Sequence, residues 1–222
     1  MMNDPVVFGV FDREADIDIS ARNLPHWFQP GVATFITFRT SDSMPKQVVD
    51  AWQCKLCQWL RDHGIEIEGN QPPKDLTKLP SSLRSEYLKF RSQLWHGSLD
   101  ACHGECVLRN RKLAEIVIES LRHFDGDRYH LDCAIVMPNH VHLLVQFNPP
   151  TTCCHQCDSW LHFTAHRINR RLGRRGSFWQ SESFDQLVRS ADQFAYLQRY
   201  IARNGMAANL PPSDYLYWSR TD

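Results

Sequence analysis

The stretch Met137-Pro138-Asn139-His140-Val141-His142-Leu143-Leu144-Val145 decides both the fold and the candidate site. It places two imidazoles one residue apart at the start of an apolar, β-branched run. Successive side chains of a strand point to opposite faces, so His140 and His142 share one face and Val141 lies on the other. Two neutral imidazoles on a rigid strand can bind a metal or contact a phosphate, and the alternative is a half-buried strand with two polar residues facing solvent.

The sequence around this stretch predicts an antiparallel sheet covered by helices. Residues 129–136 and 140–147 form a predicted hairpin, residues 31–38 a core strand, and residues 178–188 a short strand or extended loop. Helical spacing of apolar residues is found at 46–63, 81–94, 107–124, 156–172 and 191–204. This order of elements favours an α+β fold, in which residues 46–98 are a helical insertion or an extended crossover.

Length and composition indicate a globular protein with a sizeable core. The 222 residues are 42% hydrophobic and 11% aromatic, which suits one large or two small domains and excludes a disordered chain. No apolar run approaches the ~20 residues needed to cross a bilayer, and no basic segment followed by an apolar one begins the chain. We therefore expect a cytoplasmic protein whose eight cysteines are mostly reduced.

The formal net charge of zero argues mildly against nucleic-acid binding, but the charges are unevenly distributed. Acidic residues dominate residues 1–30, which we interpret as a mobile or loosely held acidic arm: Asp4, Asp12, Glu14, Asp16 and Asp18. Five arginines with no acid among them follow later in the chain: Arg167, Arg170, Arg171, Arg174 and Arg175. Spacings of three and four place several of them on one side of a helix, so we predict that they bind phosphate; a solvated helix end is the alternative.

Two residues of the last predicted helix can complete the site. Tyr200 and Asn204 are four residues apart, so they share one face of that helix. A phenol oxygen can attack phosphorus, and an amide oxygen is a neutral ligand for a hard or borderline cation. The alternatives are a core tyrosine with a satisfied hydroxyl and an asparagine that ends the helix.

Four motifs in chain order resemble those of the single-tyrosine HUH transposases, whose name describes a His-hydrophobic-His motif. Residues 137–144 resemble that motif, and Phe35-Ile-Thr-Phe-Arg39 resembles the first strand. Phe178-Trp-Gln180 and Phe184-Asp185 resemble the segment before the catalytic helix. Tyr200-Ile-Ala-Arg-Asn204 resembles the motif Tyr-Ile-x-x-Asn-Pro. The resemblance is strongest to the REP-associated tyrosine transposases.

This resemblance implies a fold and an activity. The fold is a ferredoxin-like or RRM-like antiparallel sheet with packed helices, the HUH nuclease core. It would span residues 31–210, with the helical insertion at about 46–98 and a C-terminal tail at 211–222. The activity is cleavage and joining of single-stranded DNA beside hairpins, performed by a homodimer through a 5′-phosphotyrosine intermediate.

The resemblance also implies roles for individual residues. His140, His142 and Asn204 would hold Mg²⁺ or Mn²⁺, Tyr200 would be the nucleophile, and the five arginines would contact DNA phosphates. Trp179 could stack on a base, or it could be a core aromatic residue. Two other functions stay open: a non-catalytic, domesticated single-stranded nucleic-acid-binding protein, and a metal-dependent phosphodiesterase without a covalent intermediate.

Some residues depart from the family pattern or lie outside it. Gly205 replaces the usual proline after the asparagine, and Gln186 stands where a histidine often follows the aspartate. Tyr196 and Tyr200 form a Tyr-x-x-x-Tyr pair that resembles two-tyrosine HUH nucleases, but the motif match favours Tyr200 as the nucleophile. The pair Cys54-x-x-Cys57 raises the alternative of structural zinc, although small buried thiols are also common in helices.

Overall fold

A computed structural model describes residues 6–21, 25–67, 69–73 and 75–220 and divides the chain into two compact units. The sheet unit comprises Met1–Ser41 and Cys106–Asp222, and the helical unit comprises Asp42–Glu105. The helical unit contains the residues for which the sequence predicts an insertion. Each unit has a hydrophobic core of its own.

The sheet unit is built on a five-stranded antiparallel sheet, with a separate two-stranded hairpin near its start. The strands are β1 (Asp18–Ala21), β2 (Pro25–Phe28), β3 (Ala33–Arg39), β4 (Tyr129–Val136), β5 (His140–Phe147), β6 (Phe184–Leu187) and β7 (Leu216–Ser219). The order across the large sheet is β6-β3-β5-β4-β7, which is the ferredoxin-like order with β7 added at one edge. The α+β fold class predicted from the sequence is therefore confirmed.

The helices of the sheet unit cover both faces of its large sheet. The helical unit contains α1 (Lys46–Asp62) and α2 (Ser81–Asp100), and the sheet unit contains α3 (Arg111–Arg122), α4 (Cys153–Leu172) and α5 (Ala191–Ala207). Alternate residues of β5 face the two layers, so Val141 and Leu143 join the core beneath α3 and α4. Leu144 joins the smaller core beneath α5. The imidazoles of β5 therefore face α5, because they alternate with Val141 and Leu143.

The ends of the sheet unit differ from the sequence-based expectations. Within the predicted acidic arm, β1 and β2 pair in antiparallel orientation, so a loose arm is wrong for residues 18–21 and 25–28. Asp4 lies outside the described residues. Leu216–Ser219 pairs with β4, so the predicted C-terminal tail contributes an edge strand. A four-residue strand gives little periodicity, and its pairing partner is distant in the sequence, which explains both misses.

The helical unit is organised around a small aromatic core. Leu56, Leu60, Leu79 and Tyr87 are buried between α1 and α2 and the chain that joins them. The Trp59 ring stacks on Phe90 with centroids 5.7 Å apart. No helix within the described ranges is long and apolar enough to cross a membrane.

Candidate active site

The two histidines lie at the start of the central strand of the sheet. β5 is flanked by β3 and β4, and His140 and His142 are both completely buried. Their ring centroids are 4.6 Å apart, and one ring nitrogen of each lies within 4.8 Å of the other. The structure therefore brings the two predicted metal ligands together on one rigid element.

Hydrogen bonds hold each imidazole through its Nδ1 atom. His140 Nδ1 lies 2.8 Å from Asn139 Oδ1, and His142 Nδ1 lies 2.7 Å from Thr37 Oγ1. An amide oxygen only accepts hydrogen bonds, so His140 Nδ1 carries the proton and the lone pair is on Nε2. Metal-binding histidines are oriented in this way by partners on their second nitrogen. Both imidazoles thus have the support that a metal-ligating pair requires.

Helix α5 brings Tyr200 to this pair. The Tyr200 hydroxyl lies 3.3 Å from His142 Nε2, and the Tyr200 ring packs edge-on against Phe35 at 6.1 Å between centroids. When the phenol donates to Nε2, the other nitrogen of His142 carries its proton and donates to the Thr37 hydroxyl. Asn204, one turn further along α5, is 1% exposed. The residues predicted from the helical spacing of 200 and 204 are therefore in α5, on the side of the sheet that holds the histidines.

The glycine that departs from the family motif has a packing role. A Cβ atom built on Gly205 would lie 2.4 Å from ring atoms of Tyr215. Because α5 continues to Ala207, this glycine lies inside the helix and not at its exit. Any side chain at 205 requires Tyr215 to move, so a proline here would conflict with the present position of that ring.

The predicted arginine cluster is exposed but only partly helical. Arg167, Arg170 and Arg171 lie on α4, which ends at Leu172, and Gly173 follows in the left-handed region with φ 64°. Arg174 and Arg175 lie beyond the helix end and are exposed too. Gln180 N donates to Arg39 O at 2.9 Å, and Arg39 pairs with His140 in the sheet. The chain after the arginines therefore joins the sheet at the end where the histidines lie.

Trp179 is a core residue and not an exposed stacking platform. Its side chain is 5% exposed, its Nε1 donates to Thr164 Oγ1 at 2.8 Å, and its ring packs edge-on against Phe38 at 4.9 Å. The prediction that Trp179 stacks on a base is wrong, and the alternative of a core aromatic residue fits the structure.

Three residues near the histidines were not singled out by the sequence. Thr37 and Asn139 orient the imidazoles, and Arg39 lies beside His140 in the sheet register. Burial lowers the pKa of the Arg39 guanidinium. The sequence could have indicated the role of Asn139, because this residue directly precedes His140 and its side chain is polar. Thr37 and Arg39 become recognisable only when the register of β3 against β5 is known.

The pair Cys54 and Cys57, considered as a zinc site from its spacing, differs in burial. Cys54 is exposed and Cys57 is buried. Across the described ranges no cysteine belongs to a group of three close metal-binding side chains. Cys153 and Cys157 lie at the start of α4 with their Sγ atoms 3.9 Å apart.

Comparison with known proteins identifies the part of the chain that contains this site. Residues 108–204 match the family described as "Transposase IS200 like". This segment is an IS200-like transposase domain. It includes β4, β5, α4, β6 and α5 as far as Asn204, so the histidines and Tyr200 all lie inside the matched region. The family expected from the sequence is confirmed for this segment, and the match supports an enzyme that acts on DNA.

One solved structure is similar to this chain over most of its length. It is described as "Structure of the REP associates tyrosine transposase bound to a REP hairpin" and is 12% identical in sequence. The similarity covers 90% of this chain and 92% of that chain, with a TM-score of 0.40. No curated protein matches the chain.

Proposed function

We propose that this transposase nicks and joins single-stranded DNA through a covalent bond to Tyr200. The observation that carries the proposal is the Tyr200 hydroxyl 3.3 Å from Nε2 of His142, beside a second buried imidazole. A nucleophile that adjoins two oriented imidazoles is an arrangement suited to metal-assisted chemistry on a phosphodiester.

In the proposed reaction the Tyr200 phenol loses its proton to solvent and its oxygen bonds to phosphorus. The bond from phosphorus to the 3′ oxygen breaks, and that oxygen gains a proton to become a free 3′-hydroxyl. The product is a 5′-phosphotyrosine, which conserves the phosphodiester linkage and needs no nucleotide cofactor for rejoining. An unperturbed phenol has a pKa of about 10, so the site must favour loss of the phenol proton.

The donor set fits a divalent cation. His140, His142 and Asn204 would hold Mg²⁺ or Mn²⁺, and two imidazole nitrogens with one amide oxygen favour Mn²⁺ for tight binding. Such an ion supplies Lewis-acid stabilisation of charge on the phosphate and leaving oxygens. Thr37 and Asn139 keep the two imidazoles in position. The Tyr200 hydroxyl lies 3.3 Å from His142 Nε2, so the phenol adjoins a nitrogen that would bind the ion.

The substrate follows from charge and from the family resemblance. Exposed guanidinium groups attract phosphates through counterion release. Five such groups are exposed near the end of α4 and just beyond it: Arg167, Arg170, Arg171, Arg174 and Arg175. The chain that follows them joins the sheet at its histidine end. The resemblance to REP-associated tyrosine transposases adds hairpin DNA as the target and a homodimer as the working form. The hairpin target and the homodimer rest on this resemblance and not on the geometry of the site.

The proposal is tested with labelled hairpin DNA carrying single-stranded flanks, incubated with Mn²⁺ and separated on a denaturing gel. We expect a protein-linked DNA band for the natural protein and its complete loss in Tyr200→Phe. Tyr196→Phe is the matched control, because it removes the neighbouring hydroxyl on the same helix and should keep the adduct.

Each other outcome identifies a different function. Free cleaved product without a protein-linked band would favour a phosphodiesterase without a covalent intermediate. A mobility shift on a native gel with no cleavage would favour a non-catalytic binding protein. An adduct that persists in Tyr200→Phe and disappears in Tyr196→Phe would transfer the nucleophile to Tyr196.

A further inference from the structure

Two exposed aromatic side chains flank the Tyr200 site. Phe184 is 40% exposed on β6, and Tyr196 is 59% exposed on α5. Exposed apolar rings cost free energy in water, and such groups beside a reactive side chain can mark a ligand-binding surface.

Phe184 belongs to the same row of the sheet as His142. Thr37 of β3 pairs with Phe184 on one side and with His142 on the other. Side chains of directly paired residues lie on the same face of a sheet, and Thr37 uses that face to contact His142 Nδ1. Phe184 therefore forms the outer end of a row that leads to the candidate metal ligands.

Tyr196 flanks the site from the helix. Its ring is nearly parallel to that of Tyr200, at 18° with centroids 6.5 Å apart. On the opposite side of α5, Gln198 donates to Asp132 of β4 at 2.9 Å. The two tyrosines therefore point away from β4, towards the strands β3 and β6, and Tyr200 accordingly contacts Phe35 of β3.

Cations accompany these rings on α5. Arg199 and Arg203 follow Tyr196 by three and seven residues, so all three lie along one side of the helix, and all three are exposed. Alternating arginines and aromatic rings suit a single nucleic-acid strand, since the guanidinium groups bind phosphates and the rings stack on bases.

We propose that Phe184 and Tyr196 are base-stacking subsites for the nucleotides on either side of the reacting phosphate of single-stranded DNA. The inference rests on the proposed function and deepens it, because it says how the strand is held across Tyr200. Stacking accepts every base, so these subsites position the strand without selecting its sequence.

The test is fluorescence anisotropy with the full chain and two fluorescein-labelled oligomers, oligo(dT) and an abasic phosphodiester of equal length. Chelator is present, so no cleavage occurs. Phe184→Ala and Tyr196→Ala should each weaken oligo(dT) binding by about 5- to 100-fold and leave abasic binding unchanged. Phe184→Tyr and Tyr196→Phe keep a ring and should bind oligo(dT) as the natural protein does.

Phe163→Ala is the control for an exposed ring on the other face of the sheet, since Phe163 on α4 is 47% exposed. It should leave the preference for oligo(dT) over the abasic oligomer intact. Three results would overturn the inference: no preference for oligo(dT) in the natural protein, unchanged oligo(dT) binding in the alanine variants, or equal weakening with both oligomers. Because binding is measured without cleavage, loss of the Tyr200 adduct would count against the proposed chemistry and not against the stacking subsites.

Discussion

Trp160 and His142 lie on opposite faces of the same sheet, and their surroundings differ in kind. Trp160 on α4 is 2% exposed, packs edge-on against Tyr129 at 5.0 Å and belongs to the large apolar core beneath α3 and α4. The Trp160 indole has one polar partner, the Tyr129 hydroxyl at 3.2 Å. His142 is just as buried, but both of its ring nitrogens face hydroxyls, those of Thr37 and Tyr200. The core around it is the smaller of the two in the sheet unit.

This difference shows how one sheet can stabilise the fold on one face and hold a polar site on the other. Buried polar groups are costly unless they are hydrogen-bonded, and both ring nitrogens of His142 have a hydroxyl partner. The face beneath α3 and α4 supplies the hydrophobic burial that keeps β5 rigid. The face beneath α5 can then hold imidazoles and a phenol in a fixed position.

The largest effect is expected from Trp160→Ala. Removing a buried indole leaves a cavity, so the free energy of unfolding should fall by about 3–5 kcal/mol in urea denaturation. Tyr200→Phe removes one hydroxyl from a half-buried ring and should cost about 1 kcal/mol while abolishing the DNA adduct. If the two variants lost the same stability, the proposed division between the faces would be wrong.

The next effect concerns the orientation of His142. Thr37→Val keeps the shape of the side chain and removes the hydrogen bond to His142 Nδ1, so Mn²⁺ affinity measured by calorimetry should fall by about 10- to 100-fold. Thr34→Val is the matched control on the same strand, because Thr34 is fully buried and contacts the backbone of Val32 at 3.5 Å. Equal losses in the two variants would indicate a general effect on β3 and not a specific one on His142.

The smallest effect concerns a buried ion cluster that links β2 to the region of β6. His26 lies between Asp185, bonded to Nδ1, and Glu182, 2.9 Å from Nε2. Burial lowers the pKa of His26, but the hydrogen bonds and charges of both carboxylates together raise it above its usual value. Burial also raises the pKa of Asp185, against the opposing effect of His26.

Both shifts have the same consequence for stability. Each group binds its proton more tightly in the folded protein, so the stability from His26 is present below about pH 6.5 and is lost as pH rises through its folded pKa. Urea unfolding from pH 6 upwards should show this decline, with a slope of no more than about 1.4 kcal/mol per pH unit for one proton. His26→Gln should flatten the dependence of the unfolding free energy on pH. An unchanged dependence would mean that other groups cause it.

The sequence predicted which face or element holds several candidate-site residues because its motifs are local. The alternation in β5 placed His140 and His142 on one face, and the helical period placed Tyr200 with Asn204. Trp179 was ambiguous for the opposite reason, since an aromatic residue in a loop can be buried or exposed. Only the contacts with Thr164 and Phe38, distant in the sequence, decide between the two.

The amino-acid sequence alone determined the fold class, the family and the residues that carry the proposed chemistry. Periodicities of two and 3.6 residues are properties of neighbouring positions, so a one-dimensional pattern reveals them. Tertiary structure alone decided which partners those residues meet: Thr37 at His142, Tyr215 against Gly205, and Phe184 in the row that leads to the site. Strand register and helix docking join residues far apart in the chain, and no local pattern records those pairings.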